Sequence, residues 1–171
     1  MHPETQFRQQ QFLDTLLKLG DQLGAVFHLN VDQIVHPDRL QHLPPGSLGR
    51  ELIEFLNREQ LSPFTTGPRR KQLHDAVHVL TGYGTDLMGE AEVQSFLWGA
   101  TAFPFHYWLQ RQICRAIRRQ GVWSEAELRE RLHQAYQRGQ RSHFNPATWA
   151  IETQWPLSIA QVQASLGVSP L

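Results

Sequence analysis

The chain has 171 residues, enough to bury one proper core and few enough for a single domain. Sixteen basic and sixteen acidic residues cancel, so no overall field recruits nucleic acid, and none is expected as a partner. Cys114 is the only cysteine, which excludes a disulfide framework and a Cys-rich zinc site and fits a reducing cytosol.

The start, Met1 to Gln11, is polar and glutamine-rich with no apolar core, so no signal peptide is read there. Thr5 to Leu19 predicts an amphipathic helix, with Phe7, Phe12, Leu16 and Leu19 on one face and Gly20 as its stop. Gly24 to His36 is mixed and reads as short helices, with a short strand near Ala25 as the alternative. Leu43-Pro44-Pro45-Gly46-Ser47 is a turn whose Ser47 can cap the next helix. That helix carries Leu48, Leu52, Phe55 and Leu56 as an apolar stripe and Arg50–Glu54 as an i, i+4 pair. Ser62 to Pro68 is a loop, and Pro68 suits the first turn of the following helix.

The chemistry-bearing stretch is Leu73-His74-Asp75-Ala76-Val77-His78, continued to Glu90. At about 100° per residue, Leu73, Val77 and Leu80 form one apolar line, with His74, His78 and Thr81 beside it. The two imidazoles therefore sit at the edge of the buried face, spaced to grip one ion. Gly82-Tyr83-Gly84 breaks the helix, and Thr85 or Asp86 can cap a second one. In an antiparallel helical hairpin Glu90 then comes level with His78. The predicted site is His74, Asp75, His78 and Glu90 on two adjacent helices, a donor set suited to zinc, iron or manganese. A hydrogen-bonded packing pair is the bland reading of the same histidines.

Phe96 to Leu109 is the most apolar part of the chain, but it is shorter than the ~20 residues of a membrane span and is interrupted by Pro104 and His106. It reads either as a buried helix pair or as the wall of an apolar ligand pocket, for which Phe96, Phe103, Phe105 and Trp108 are the candidates. Arg111, Arg115 and Arg118 share one helical face, read as a solvated face or as a contact for anionic lipid head groups. Ser124-Glu125-Ala126-Glu127 is a capping box, with Trp123 and Leu128 as its hydrophobic staple. The helix it opens stops near Gly139. The last helix carries Leu157, Ile159, Val162 and Leu166 and ends at Gly167. Nearly every element is helical, so the fold class is all-α, one multi-helix domain over residues 1–171. With only Lys18 and Lys71 as lysines, the arginine excess points to a bacterial source.

Two rival motifs fit poorly. A helical His-Asp phosphohydrolase needs another aspartate well downstream, and none follows Asp86. A zinc protease needs glutamate where Asp75 stands.

Leu43-Pro44-Pro45-Gly46-Ser47-Leu48-Gly49-Arg50-Glu51, with His74-Asp75-Ala76-Val77-His78 and Glu90 after eleven intervening residues, resembles the coenzyme Q biosynthesis protein 4 family. Leu80-Thr81-Gly82 and Leu87-Met88-Gly89-Glu90 resemble that family's surrounding text, and Trp155 to Val168 is a fainter echo. Leu52 departs from it, standing where the family usually has tyrosine. The resemblance implies an all-helical protein at the periphery of a membrane, for a bacterial member on the cytoplasmic side of the inner membrane. It implies metal ligands at His74, Asp75, His78 and Glu90. It further implies a polyprenylated quinone precursor as ligand, contact with other quinone-biosynthesis proteins, and a homodimer. The implied activity is metal-dependent oxidative decarboxylation of a polyprenyl hydroxybenzoate head group. The alternative is a non-catalytic scaffold that presents isoprenoid intermediates to other enzymes, where magnesium would serve to hold a lipid phosphate.

Overall fold

The computed structural model describes residues 30–171. The helix expected over 5–19 and the 24–29 part of the mixed segment lie outside them. The described residues form α1 (Pro37–Leu40), α2 (Leu48–Glu59), α3 (Arg69–Gln72), α4 (His74–Thr81), α5 (Leu87–Thr101), α6 (Pro104–Gln120), α7 (Glu125–Gln140), a 3₁₀ turn (Ile151–Thr153) and α8 (Ile159–Leu166). Among them there is no β-sheet, only isolated bridges at Asn30–Pro68 and Ser47–Ser158, so the all-α expectation holds.

The helices form where sequence chemistry places them. Ser47 caps α2 through the Arg50 amide, and Leu48, Leu52, Phe55 and Leu56 are all buried along its stripe. The Arg50–Glu54 pair closes at 2.7 Å on the surface. Ser124 and Glu127 form the expected capping box of α7, and Trp123 packs on the cluster that holds Leu128. Ser158 and Gln161 make a second capping box at α8, not anticipated because glutamine replaces the usual acid.

Two expectations change. Residues 31–36 are irregular instead of helical, with α1 a single turn after them. Their backbone finds its partner in the buried Gln72 side chain, which accepts from the Ile34 amide at 2.9 Å and donates towards the Val31 and Asp32 carbonyls. Pro68 starts not the histidine helix but the short α3, because Leu73 leaves helical geometry (φ −95°, ψ 1°) and separates α3 from α4.

The centre of the fold is α5. Every residue from Leu87 to Leu97 is buried, including Glu90, Glu92, Gln94 and Ser95, because α6 and α7 both pack against it. The α5–α7 crossing is tight: a Cβ on Gly99 would lie 2.1 Å from the Tyr136 carbonyl oxygen, and one on Gly139 2.1 Å from that of Phe96. Gly139 thus belongs to the helix crossing, and α7 runs one residue past it. α4 packs mainly on α2 and touches α5 more sparsely. The two motif helices therefore meet at a few side chains, each held mainly by other partners. One apolar cluster joins α2, α4 and the C-terminal segment; a second joins the start of α5 to α6 and α7.

Candidate metal centre

His74 and His78 stand one turn apart on α4, so their rings lie on one face. Glu90 enters from the first turn of α5, which Asp86 fixes by accepting from the Gly89 amide at 2.7 Å. The His74 and His78 Nε2 atoms are 3.2 Å apart, and Glu90 Oε1 lies 3.4 Å from the first and 3.2 Å from the second. Among the described residues these three side chains form the group able to share one ion. A tetrahedral ion with bonds of about 2.0–2.1 Å has ligand–ligand edges of about 3.3–3.4 Å. The donor triangle thus has the size of one face of such a site.

Supporting contacts fix the donors. His78 is almost fully buried, and its Nδ1 donates to the Tyr83 carbonyl at 3.2 Å, which leaves Nε2 with a lone pair for a ligand. Phe55 stacks on the same ring at 6.0 Å. Gly82, at φ 77°, ends α4 and turns the chain so that Tyr83 reaches back to His78.

The electrostatics tie the three donors to one another. Burial acts to raise the Glu90 carboxyl, but the charges and hydrogen bonds of His74 and His78 outweigh it and hold the group well below the usual carboxylate range. Burial acts to lower His74, but Glu90, with help from Asp75, raises it to about 9. A buried carboxylate facing two imidazoles is balanced by a positive charge, which a proton on His74 or a divalent ion on the same three atoms can supply. Asp75 is buried beside the triangle, and its carboxyl is raised by that burial. It couples electrostatically to all three donors but is not one of the three converging atoms.

The four lipid-pocket candidates separate. Phe96 is fully buried and packs on Phe144 at 5.7 Å, within the core. Phe103, Phe105 and Trp108 stay together, with Phe105 6.3 Å from Phe103 and 5.8 Å from Trp108. Phe103 and Trp108 are substantially exposed. The Arg70 guanidinium lies 5.0 Å over the Phe105 ring. A buried polar pair stands behind these rings, where the sequence shows in His106 only an interruption of the apolar run: His106 Nδ1 meets Gln94 Oε1 at 2.8 Å. Gln94 sits one helical turn after Glu90, so this pair neighbours the donor triangle. A separate cleft lined by Val31, Ile34, Leu43, Arg69 and Trp155 includes none of the triangle residues.

An all-helical domain with a buried two-histidine, one-glutamate triangle defines the class: a helical protein built around a candidate metal centre. Residues 29–171 match the family model of the coenzyme Q (ubiquinone) biosynthesis protein Coq4, and the chain belongs to that family. The family is one of ubiquinone biosynthesis. The mitochondrial ubiquinone biosynthesis protein COQ4 homolog of Rattus norvegicus is 30% identical over 148 residues, covering 77% of this chain and 54% of that protein. The Homo sapiens homolog is 36% identical over 80 residues, covering 39% and 30%. The chain thus spans about half the length of the rat relative. A crystal structure of a protein from Nostoc punctiforme PCC 73102, provisionally assigned to ubiquinone biosynthesis, superposes with a TM-score of 0.65. It is 19% identical and covers 81% of this chain and 70% of its own, a likeness of fold.

Proposed function

We propose that this chain is a metal-dependent enzyme of isoprenoid-quinone biosynthesis that acts on a polyprenyl hydroxybenzoate by oxidative decarboxylation, the ring carboxylate leaving as carbon dioxide and a hydroxyl taking its place, with dioxygen as the external oxidant and oxygen source. The observation that carries the reading is the donor triangle of His74, His78 and Glu90, buried in a chain of the Coq4 family. These three residues would hold the ion, with Asp75 as the neighbouring acid of the set. Bound there, zinc, iron or manganese would polarise the ring hydroxyl and carboxylate and accept charge as carbon dioxide leaves.

The protein's own groups do the rest. Tyr83 keeps His78 in the tautomer that leaves Nε2 free. The apolar walls of Phe55 and the core keep bulk water from the donors. The prenyl tail runs along Phe103, Phe105 and Trp108, whose rings stand together beyond His106. Phe96 acts through packing, since it is sealed in the core. Work on such a substrate places the chain at the periphery of a membrane, beside other quinone-biosynthesis proteins. Among the described residues no helix is long and apolar enough to cross one. The half-exposed rings also fit the second reading, a scaffold that presents an isoprenoid without turning it over.

The deciding experiment is elemental analysis of purified wild type and of His78→Ala, then turnover of a polyprenyl hydroxybenzoate after loading with each metal. Near-stoichiometric metal lost in the variant, with release of carbon dioxide by the wild type, is expected. Metal without turnover would leave the scaffold. A folded wild type that takes up no metal would overturn the catalytic reading.

A further inference from the structure

Between Glu92 and Glu125 the chain has no acidic residue, while α6 alone carries Arg111, Arg115, Arg118 and Arg119. In a chain of zero net charge this is segregation, not an overall excess. The fold turns it into a surface. His106, Leu109, Ile113 and Ile117 bury one side of α6. The other side exposes Tyr107, Trp108, Arg111, Arg115, Arg118 and Arg119. The rings gather at one end: Phe103 is 49% exposed at the α5–α6 corner, Tyr107 39% and Trp108 42% in the first turns. Arg118 is taken by Glu125 at 2.6 Å. Among the described residues Arg111, Arg115 and Arg119 have no carboxylate partner; Arg111 reaches the Tyr107 hydroxyl and Arg115 the Gln112 side chain.

Half-exposed large rings are costly in water unless a phase that suits them is near, and Trp and Tyr are the residues that settle at a membrane interface. Rings at one end of a helix with uncompensated arginines along the same side match an anionic bilayer, with acyl chains below and phosphates above. A second copy of the chain would set these arginines against each other. The orientation also serves the metal centre. The turn that exposes Tyr107 and Trp108 buries His106 on its other side, where it meets Gln94, four residues beyond Glu90.

We propose that the α5–α6 corner and the exposed side of α6 form a docking face for an anionic membrane, with Phe103 and Trp108 in the interface and Arg111, Arg115 and Arg119 on head-group phosphates. The inference rests on the reading of the chain as acting on a membrane-borne prenyl substrate, and it names the face that meets the lipid.

The test is co-sedimentation with vesicles of phosphatidylcholine alone and of phosphatidylcholine mixed with phosphatidylglycerol. Wild type should bind the anionic vesicles, release in high salt, and bind the neutral ones weakly. Each cation near such a surface contributes about fivefold, so the Arg111→Gln, Arg115→Gln double variant should bind about 30-fold more weakly. Both sites are solvent-exposed, and circular dichroism checks that the fold is kept. Acyl-chain-brominated lipid should quench a larger fraction of the fluorescence of wild type than of Trp108→Phe. Wild type that ignores anionic vesicles, a double variant that sediments like wild type, or equal quenching in both proteins would overturn the proposal. So would a solution dimer that the double variant converts to monomer, or tighter binding to single-stranded RNA than to lipid. Metal content measured on the same samples separates a failure of this face from a failure of the metal reading, because neither arginine touches the donors.

Discussion

Gly89 faces the backbone of Gly84: a Cβ built on Gly89 would stand 2.0 Å from the Gly84 carbonyl oxygen. No flexible side chain is in the way that could move aside. The contact presses the first turn of α5 against the loop that carries Tyr83, and Glu90 is the next residue along. Gly89→Ala must therefore lift the start of α5, loosen the Asp86 cap and shift Glu90 relative to His74 and His78. A displacement of this kind is expected to cost about 1–3 kcal/mol of stability, partly offset by the better helix propensity of alanine. Metal affinity should fall by at least tenfold, as it does when supporting contacts of a metal site are lost. Denaturant titration and metal titration of the variant check the two effects separately. Unchanged metal affinity would show that the Gly84–Gly89 contact does not place Glu90.

The sequence made the donors legible because a spacing of four residues on any helix puts two histidines on one face, whatever the helix packs against. It also marked Ser47 and Ser124 as caps and narrowed the cap of α5 to Thr85 or Asp86, since capping is decided within four residues. What it did not show depends on neighbours distant in the chain. Phe96 and Phe103 look alike in an aromatic run, yet one is sealed against Phe144 and the other stands at a corner. α7 does end next to Gly139, at Gln140, but the reason for a glycine there is the Phe96 backbone packed against it, which no local pattern shows. The break at Leu73 has no local breaker residue. It accompanies the anchoring of α3 from outside, where Gln72 holds residues 31–34 and Arg69 holds Glu152 with two hydrogen bonds.

Metal uptake should release a proton. In the metal-free protein His74 is raised to about 9, so at neutral pH it carries a proton that a ligand nitrogen cannot keep. Glu90 is already ionised, held well below the usual carboxylate range, and releases none. Between about pH 6.5 and 9, apparent affinity should therefore rise by up to tenfold per pH unit. The sign for stability is the reverse. His74 is raised on folding, so the metal-free protein has its contribution in full below about 6.5 and loses it as pH climbs through about 9. Calorimetric titration with the metal in two buffers of different ionisation enthalpy reads the proton count directly. A heat independent of buffer at neutral pH would show that His74 is already neutral.

His106 provides the opposite dependence on the acid side. Its ring is buried, and burial, with smaller effects from Arg70 and His74, pushes it down from 6.5 to about 4. The folded state therefore holds the neutral ring, with Nδ1 donating to Gln94 Oε1. A histidine depressed on folding contributes its full stability above the unfolded value of about 6.5 and loses it as pH falls towards about 4. Complete loss corresponds to about 3 kcal/mol, enough to matter for a domain of ordinary stability. In this window His74 is protonated in the folded and unfolded chains alike, and Glu90 remains ionised in the folded one. Asp75 and Glu92, both raised by burial, and the lowered Glu90 also shape the slope between about pH 6.5 and 4.5, so His106 is read from the difference between wild type and a variant that lacks only its ring. His106→Asn can keep the donor to Gln94 while removing the titrating group. Urea unfolding of both proteins across that range should give a steeper loss for the wild type, with the curves converging as the pH drops. Parallel curves would mean that the buried ring does not resist its proton, and that water reaches it through the Phe103–Phe105 side.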